Sequence, residues 1–291
     1  MRFMYTFALA INSVYKVLVG IIFGIVQGIS EWLPISSKTQ LLLLSTFLLH
    51  LNFSQAYVLG LFMEGGTFIA AVIYFRKELY ETILALVGKG GKEGWLLLKY
   101  LLVVTVITAI VAIPIYKFIS SINGPVLGIP MIILGVLLII DGILIKLSKK
   151  YTTTKTLVNL TIIDLILIGI AQGISALPGV SRSGTTVSAM LFLKIKPEEA
   201  FRLSFFALIL SSIGATAVTL IFSKPQISSI LVIFPATDLI IAAIVSIGVS
   251  LVLINALLKS AKGSNITNIV FILGIIAIIG GIIGIIAGIA A

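Results

Sequence analysis

The sequence is poor in reactive and charged side chains. It contains no cysteine, so disulfides, thiolate nucleophiles and cysteine-held iron–sulfur clusters are excluded. Charged residues make up 10% of the chain, whereas an average soluble domain carries about 25%. A chain with so few charges cannot cover itself with a hydrated surface, which excludes an ordinary soluble protein.

Long apolar runs take the place of the missing charge. Hydrophobic residues make up 59% of the chain and the mean hydropathy is +1.25, which indicates an all-α polytopic membrane protein. A helix needs about 20 apolar residues to cross a bilayer. Six runs meet this requirement, at about 57–75, 98–116, 126–145, 203–222, 237–258 and 268–289. Two further apolar stretches, 17–52 and 157–193, are interrupted by proline and polar residues.

The net charge of +10 comes from lysine and arginine in short segments between these spans. Basic loops are retained in the cytoplasm, and this rule explains the charge without nucleic-acid binding. It assigns segments 76–99, 146–157, 194–202 and 259–267 to the cytoplasm, and segments 117–125 and 223–236 to the outside. Stretch 157–193 then starts and ends inside, and stretch 17–52 starts and ends outside. Both are therefore predicted to be re-entrant helix hairpins, inverted relative to one another.

The two interrupted stretches share a motif. Residues 24–34 read GIVQGISEWLP and residues 169–178 read GIAQGISALP, starting 145 positions apart by the difference of the two residue numbers. This spacing is about half the chain and predicts a duplication, with one repeat at about 1–145 and the other at about 146–291. Inverted repeats with broken apolar helices place a binding site near the middle of the membrane.

The polar loops after the two prolines are suited to an anion. A helix starts after each loop, near Ser36 or Ser37 and near Ser183, and serine is a favoured N-cap. The positive end of each helix, the loop amides and Arg182 would together bind phosphate. The alternative is that these serines only cap helices and that Arg182 pairs with a structural carboxylate.

Two glutamates lie in apolar surroundings, where charged side chains are costly and usually functional. Glu31 and Arg182 are predicted to pair across the two repeats, and Glu64 lies among small residues in the first predicted span. Because a carboxylate close to phosphate needs a cation between them, Glu31 and Glu64 are predicted to hold Mg²⁺ or another hard divalent ion. The alternative for both is a structural ion pair. Helix-end roles are expected for Asp141, Asp164 and Asp238.

Both motifs resemble those of the undecaprenyl pyrophosphate phosphatases of the BacA or UppP type. The matching motifs are residues 27–37, which read QGISEWLPISS, and residues 178–184, which read PGVSRSG. The intervening spans and the chain length also agree, so the resemblance covers essentially the whole chain. The resemblance implies a multi-pass enzyme of the plasma membrane with inverted repeats and two re-entrant hairpins. It implies hydrolysis of a polyprenyl diphosphate lipid to the monophosphate and phosphate at the outer face, which recycles a lipid carrier for cell-wall or glycan assembly.

The resemblance also implies roles for single residues. Glu31 matches the essential glutamate, Ser37 the hydroxyl proposed as nucleophile, and Arg182 the phosphate-binding arginine. Substrate-binding roles fall on Gln27, Ser36, Gln40, Ser181, Ser183, Gly184 and Thr186. The implied cofactor is Mg²⁺ or Ca²⁺, bound by Glu31 and Glu64.

The chain departs from the family pattern just after the paired serines. Gln40 stands where family members usually have histidine, Thr39 replaces a usual glycine, and Lys38 is an unusual charge. The single histidine, His50, follows a leucine run and is expected at a helix end. Without the family histidine, help in deprotonating Ser37 must come from Glu31, from Glu64 or from a metal-bound hydroxide.

Two other functions stay open from the sequence. Inverted repeats with broken helices are typical of secondary transporters, so the chain could move an anionic lipid without cleaving it. It could also bind polyprenyl phosphate with neither turnover nor transport. The other widespread class of membrane lipid phosphatases is excluded, because its site needs two histidines. For the oligomeric state, a homodimer is one expectation.

Overall fold

The computed structural model describes residues 17–122, 124–148, 153–259 and 266–286. Its regular structure in these ranges is helical, as the composition predicts. The helices are α1 (Val17–Ser30), α2 (Ser37–Leu49), α3 (Phe53–Phe62), α4 (Glu64–Tyr74), α5 (Arg76–Leu86), α6 (Lys92–Ser120), α7 (Ile129–Ser148), α8 (Ile162–Ile174), α9 (Arg182–Phe192), α10 (Pro197–Phe222), α11 (Lys224–Ile233), α12 (Ala236–Lys259) and α13 (Ile266–Ile286).

Five of the predicted spans are confirmed as helices that are long and apolar enough to cross a membrane. They are α6, α7, α10, α12 and the pair α3–α4, which is interrupted only at Met63. The predicted span at 268–289 coincides with α13 as far as Ile286, and its last residues lie outside the described ranges.

The two predicted hairpins are also present as pairs of short helices. Helix α2 has 13 residues, α8 has 13 and α9 has 11, fewer than the about 20 that a membrane crossing needs. The chain turns between α1 and α2 at residues 31–36, and between α8 and α9 at residues 175–181. The breaks therefore fall at the repeated motif. Re-entry into a membrane and the repeat boundaries stay predictions.

Two segments expected to be loops contain helices. Helix α5 lies within 76–99, and it packs so tightly on α6 that a Cβ at Gly94 would be 2.5 Å from the Glu81 carbonyl oxygen. Helix α11 lies within 223–236, has Pro225 in its first turn and buries Ile230. Proline is favoured in the first turn of a helix, so Pro225 is compatible with α11. Both short helices are stabilised by contacts with other helices, which a hydropathy pattern does not reveal.

Each hairpin packs on a long helix from the other half of the chain. A Cβ at Gly24 of α1 would lie 2.5 Å from the Ala242 carbonyl oxygen of α12. A Cβ at Gly173 of α8 would lie 2.5 Å from the Val111 Cβ of α6. Small residues allow helices to approach this closely in membranes, so the glycines of the repeated motif serve packing.

Helices α7 and α13 pack on one another in a reciprocal way. A Cβ at Gly135 would lie 2.5 Å from the Gly274 carbonyl oxygen, and a Cβ at Gly274 would lie 2.9 Å from the Gly135 carbonyl oxygen. Each of these two glycines thus lets the other helix approach closely, and the inverted repeat itself stays a prediction.

The turn after α1 is anchored by a tryptophan. The Trp32 side chain is fully buried and meets the Phe205 ring of α10 edge to face, with ring centroids 5.0 Å apart. Replacing a buried aromatic side chain by alanine typically costs about 3–5 kcal/mol. Trp32 therefore fixes the turn that carries Glu31 against α10.

Candidate active site

The two hairpin turns touch, as the inverted arrangement predicts. The Thr39 hydroxyl accepts a hydrogen bond from the Gly179 backbone N–H at 2.7 Å and donates to the Ser36 Oγ at 2.9 Å. The Ser36 hydroxyl in turn donates to the Val180 carbonyl oxygen at 3.3 Å. Thr39 and Ser36 thus each make one hydrogen bond to the second turn.

The second turn is firmly capped. Ser181 is the N-cap of α9 and accepts from the Gly184 N–H at 3.2 Å, so the predicted serine cap lies two residues before Ser183. The Asp141 carboxylate reaches across from α7 and accepts from the Ser181 N–H at 3.2 Å and the Thr185 hydroxyl at 3.1 Å. Asp141 has its predicted helix-end role, but at the start of α9 and deep inside the protein.

The first turn is left without such a cap. Ser36 occupies the N-cap position of α2 in the left-handed region, with φ 57° and ψ 89°, and its side chain does not cap the helix. A residue held in this region typically stores about 1–3 kcal/mol of strain. The first-turn N–H groups of α2 have no partner within the helix, and unlike α9 this helix has no side-chain cap.

An ion-pair cluster lies beside the uncapped helix end. The Arg182 Nη2 pairs with the Glu31 Oε1, as predicted, and lies 3.1 Å from the Glu64 Oε2. The Arg182 Nη1 donates to the Ser211 Oγ of α10 at 2.8 Å. Arg182 therefore joins three elements: the turn after α1, helix α4 and helix α10.

The Glu31 carboxylate holds the predicted nucleophile. The Ser37 hydroxyl donates to the Glu31 Oε2 at 2.7 Å, and the Gln27 Nε2 donates to the same oxygen at 2.9 Å. The Gln27 Oε1 is buried without a hydrogen-bond partner among the residues that the structure describes. Glu31, Ser37, Arg182 and Gln27, four of the predicted site residues, are thus brought together.

The sequence interpretation did not assign a role to Lys38, which completes the cluster. Its Nζ lies 3.7 Å from the Glu64 Oε1, and the Lys38 and Glu64 side chains are only 3% and 1% exposed. The sequence does contain a signal for Lys38, because a charged residue inside an apolar membrane hairpin usually has a function. Other site contacts that the interpretation missed are those of Ser211 and Asp141.

The remaining predicted residues lie around the cluster. The Gln40 amide donates to the Ile35 carbonyl oxygen of its own turn at 3.1 Å. The Ser183 Oγ is 3.3 Å from the Ser181 Oγ, and the Thr186 hydroxyl lies 2.6 Å from the Ser204 Oγ of α10. These contacts hold the turns in place, and the substrate-binding roles of these residues stay predictions.

The carboxylates do not form a ready site for a divalent cation. Glu31 is engaged by Arg182, Ser37 and Gln27, and Glu64 has one oxygen facing Arg182 and the other facing Lys38. The described residues contain no group of three His, Cys, Asp or Glu side chains that could hold a metal ion. An entering divalent ion, which needs about six oxygen ligands, would have to displace a fixed cation from these carboxylates. The residues present therefore do not fit the expected metal.

An apolar cavity borders the charged cluster. It has a volume of about 240 Å³ and lies between α3, α6 and α10, with Leu61, Ile113 and Leu210 among its walls. Ser211, which accepts the hydrogen bond from Arg182, also lines it. The charged cluster and the apolar cavity therefore meet at Ser211.

Comparison with known proteins agrees with a site that combines a charged cluster and an apolar cavity. Residues 20–283 match the family described as bacitracin resistance protein BacA. A protein of Saccharolobus solfataricus named undecaprenyl-diphosphatase is 52% identical over 261 residues, 89% of this chain and 93% of that protein. Proteins of the same name are 46% identical in Sulfurisphaera tokodaii (87% of this chain, 93% of that protein) and 38% identical in Pyrobaculum aerophilum (89% and 94%).

Proposed function

Because this chain belongs to the bacitracin resistance protein BacA family, we propose that it is a membrane enzyme that hydrolyses undecaprenyl diphosphate to undecaprenyl phosphate and inorganic phosphate. The observation that carries this proposal is the buried pair of Glu31 and Arg182, with the Ser37 hydroxyl held against Glu31 where the two hairpin turns meet. The monophosphate produced is the form of the lipid carrier that can be loaded again for cell-wall or glycan assembly.

The proposed substrate has a charged head and an apolar tail, and the site has a place for each. The diphosphate would lie against Arg182 and the uncapped start of α2, since a helix N-terminus favours an anion. The first part of the isoprenoid tail would enter the cavity of about 240 Å³. Each buried CH₂ group contributes about 0.8 kcal/mol, so even part of the tail supports binding.

The contacts of Ser37 favour a two-step displacement. The Ser37 oxygen attacks the terminal phosphorus while its proton passes to Glu31, and the bond from that phosphorus to the bridging oxygen breaks. Undecaprenyl phosphate leaves with the bridging oxygen. Water then attacks the phosphorus of the phosphoserine, and the bond from phosphorus to the Ser37 oxygen breaks. Glu31 gives its proton back to that oxygen, and inorganic phosphate leaves with the oxygen and protons of the water. Arg182 and the N–H groups of α2 stabilise the equatorial oxygens, because phosphoryl transfer depends on positioning and charge neutralisation.

The finer predictions of the sequence belong to this proposal. They are a location in the plasma membrane, a site that opens to the outer face, and a homodimer. The predicted dependence on Mg²⁺ or Ca²⁺ is not part of the proposal, because Glu31 and Glu64 face Arg182 and Lys38 instead. The five candidate membrane spans support a multi-pass membrane protein. Gln27, with its unpaired buried oxygen, is proposed to accept a hydrogen bond from the substrate or from water.

Phosphate release from undecaprenyl diphosphate by purified protein tests the proposal. Arg182→Ala removes the cation that faces both carboxylates, so the rate should fall by about 10²–10³, as for removal of one preorganised transition-state donor. Arg202→Ala is the matched control, because Arg202 also pairs with two glutamates, Glu93 and Glu199, but at the surface. Unchanged release by the Arg182 variant would contradict the assignment.

The same preparation separates hydrolysis from transport. Protein in vesicles with labelled undecaprenyl diphosphate on one side would release phosphate if it is a phosphatase. A change in lipid sidedness with no phosphate released would instead establish the transporter that the sequence left open.

A further inference from the structure

Lys38 is a buried cation for which the reaction described above has no use. It is the second residue of α2, directly after the proposed nucleophile Ser37, and its side chain is 3% exposed. A charge at such a position is costly unless it is paired or functional. The pairing that it has is with Glu64, one of the two residues expected to bind a divalent cation.

One carboxylate places Lys38 beside Arg182. The Glu64 Oε1 is 3.7 Å from the Lys38 Nζ, and the Glu64 Oε2 is 3.1 Å from the Arg182 Nη2. Because the two oxygens belong to the same carboxylate, Glu64 links the two cations, and Lys38 itself lies in the first turn of α2. Two cations that share a carboxylate near a helix N-terminus suit the two phosphates of a diphosphate head group.

The contact between Lys38 and Glu64 leaves the ammonium group able to bind an anion. At 3.7 Å it is longer than the 2.7–3.2 Å of an ordinary hydrogen bond. An ammonium group has three N–H donors on a flexible stem. Lys38 can therefore turn from Glu64 towards a phosphate oxygen without losing a short hydrogen bond.

The charge balance shows what the lysine changes. Glu31 and Glu64 carry two negative charges, and Arg182 alone would leave one of them uncompensated in a site that must accept an anion. A divalent cation would correct this imbalance, and so does Lys38, which the chain supplies itself. With Lys38 present, the cluster of four side chains is neutral before the substrate arrives.

We propose that Lys38 binds the terminal phosphate of the substrate and takes the place of the divalent cation, so that hydrolysis proceeds without added metal. The inference rests on the proposed phosphatase function. It also explains why the carboxylates expected to bind Mg²⁺ or Ca²⁺ face fixed cations instead.

Phosphate release in the presence of a strong chelator tests this directly. The wild-type protein should release phosphate from undecaprenyl diphosphate at the same rate in chelator as with added Mg²⁺ or Ca²⁺. Lys38→Met should lose about 10²-fold in chelator, the effect of removing one charge-stabilising group, and added Mg²⁺ should restore much of the loss. Lys155→Met is the matched control. Lys155 also pairs with a carboxylate, its Nζ lying 3.0 Å from the Asp164 Oδ2, but this pair is near the surface.

A second variant allows for damage to the fold. Lys38→Met leaves Glu64 buried and facing one cation fewer, which can be strongly destabilising. The double variant Lys38→Met with Glu64→Gln removes both charges and keeps their volume. It should show the same loss of rate in chelator, and Lys38→Arg should keep most of the metal-free activity.

Binding of inorganic pyrophosphate in chelator separates this inference from the proposed function. Wild-type protein should bind it, and the Lys38→Met variant should bind it at least about tenfold more weakly, the loss of one charged hydrogen bond. Wild-type release that stops in chelator and returns with Mg²⁺ would overturn the role of Lys38 while leaving the phosphatase proposal intact. No release under any condition, with pyrophosphate binding that still needs Lys38, would overturn the phosphatase proposal and keep the anion site.

Discussion

The two hairpin turns come from one repeated motif but have different surroundings. In the second turn, Ser181 caps α9 and Asp141 accepts two further hydrogen bonds. In the first turn, α2 lacks a side-chain cap and Ser36 has a left-handed backbone. The first turn also carries Glu31 and Ser37, whereas the second contributes Arg182. The capped turn therefore holds a cation in place, and the strained turn presents the reactive groups.

The largest expected effect comes from removing the reactive group of the first turn. Ser37→Ala should lower kcat by about 10²–10⁴, the range for losing a positioned proton-transfer partner and its nucleophile. The fold should persist, because Glu31 keeps its contacts with Arg182 and Gln27. Rapid quenching of wild-type protein with substrate labelled in the terminal phosphate should trap labelled phosphoserine. Label bound by the Ser37→Ala protein, or a full rate without the hydroxyl, would show that water attacks directly.

A smaller effect, on stability, is expected in the second turn. Asp141→Ala would leave the Ser181 N–H and the Thr185 hydroxyl without their acceptor, at a cost of about 1–3 kcal/mol. Thermal unfolding in detergent measures this loss. Glu93→Ala is the control, because Glu93 pairs with Arg202 at the surface, away from the turns, and the loss of such a pair should cost little. A stable Asp141→Ala protein with an unchanged unfolding temperature would remove the distinction between the two turns.

The smallest effect is expected at the strained residue itself. Ser36→Gly relieves the left-handed backbone but loses the hydrogen bonds to Thr39 and Val180, so stability should change by less than about 1 kcal/mol. Ser36→Val, with a branched side chain at the same φ, should be clearly less stable. Comparing the unfolding temperatures of the two variants checks the sign. Equal destabilisation by both would mean that the lost hydroxyl, rather than the backbone, matters.

Much of the fold could be predicted because the membrane restricts it. Apolar runs of sufficient length become spans, and both breaks occur at the repeated motif that ends in Pro34 and Pro178. The pair of Glu31 and Arg182 could be predicted for a similar reason, because a charge in apolar surroundings needs a partner. In each case the sequence pattern is strong, and the apolar interior of a membrane allows few other structures for it.

The rest depends on contacts between distant helices, which local patterns do not encode. Asp141 lies in an apolar run, and nothing in the sequence indicates that it reaches the start of α9. The pairing of Lys38 with Glu64 requires that α2 and α4 face one another, so the two residues were assigned separately from sequence. Helices α5 and α11 were missed because they are short and are stabilised by packing.

Each hairpin packs on a helix of the other half of the chain, and this affects the order in which the site can assemble during synthesis. Helix α8 packs on α6, which is synthesised before it, so the second hairpin can dock as soon as it emerges. Helix α1 packs on α12, and the contact from Gly24 to Ala242 joins residues 218 positions apart by the difference of their numbers. Because a ribosome adds about 5–20 residues per second, α12 is synthesised roughly ten to forty seconds after α1, and only then can the two helices pack. The reactive turn is therefore the last part of the site to be completed.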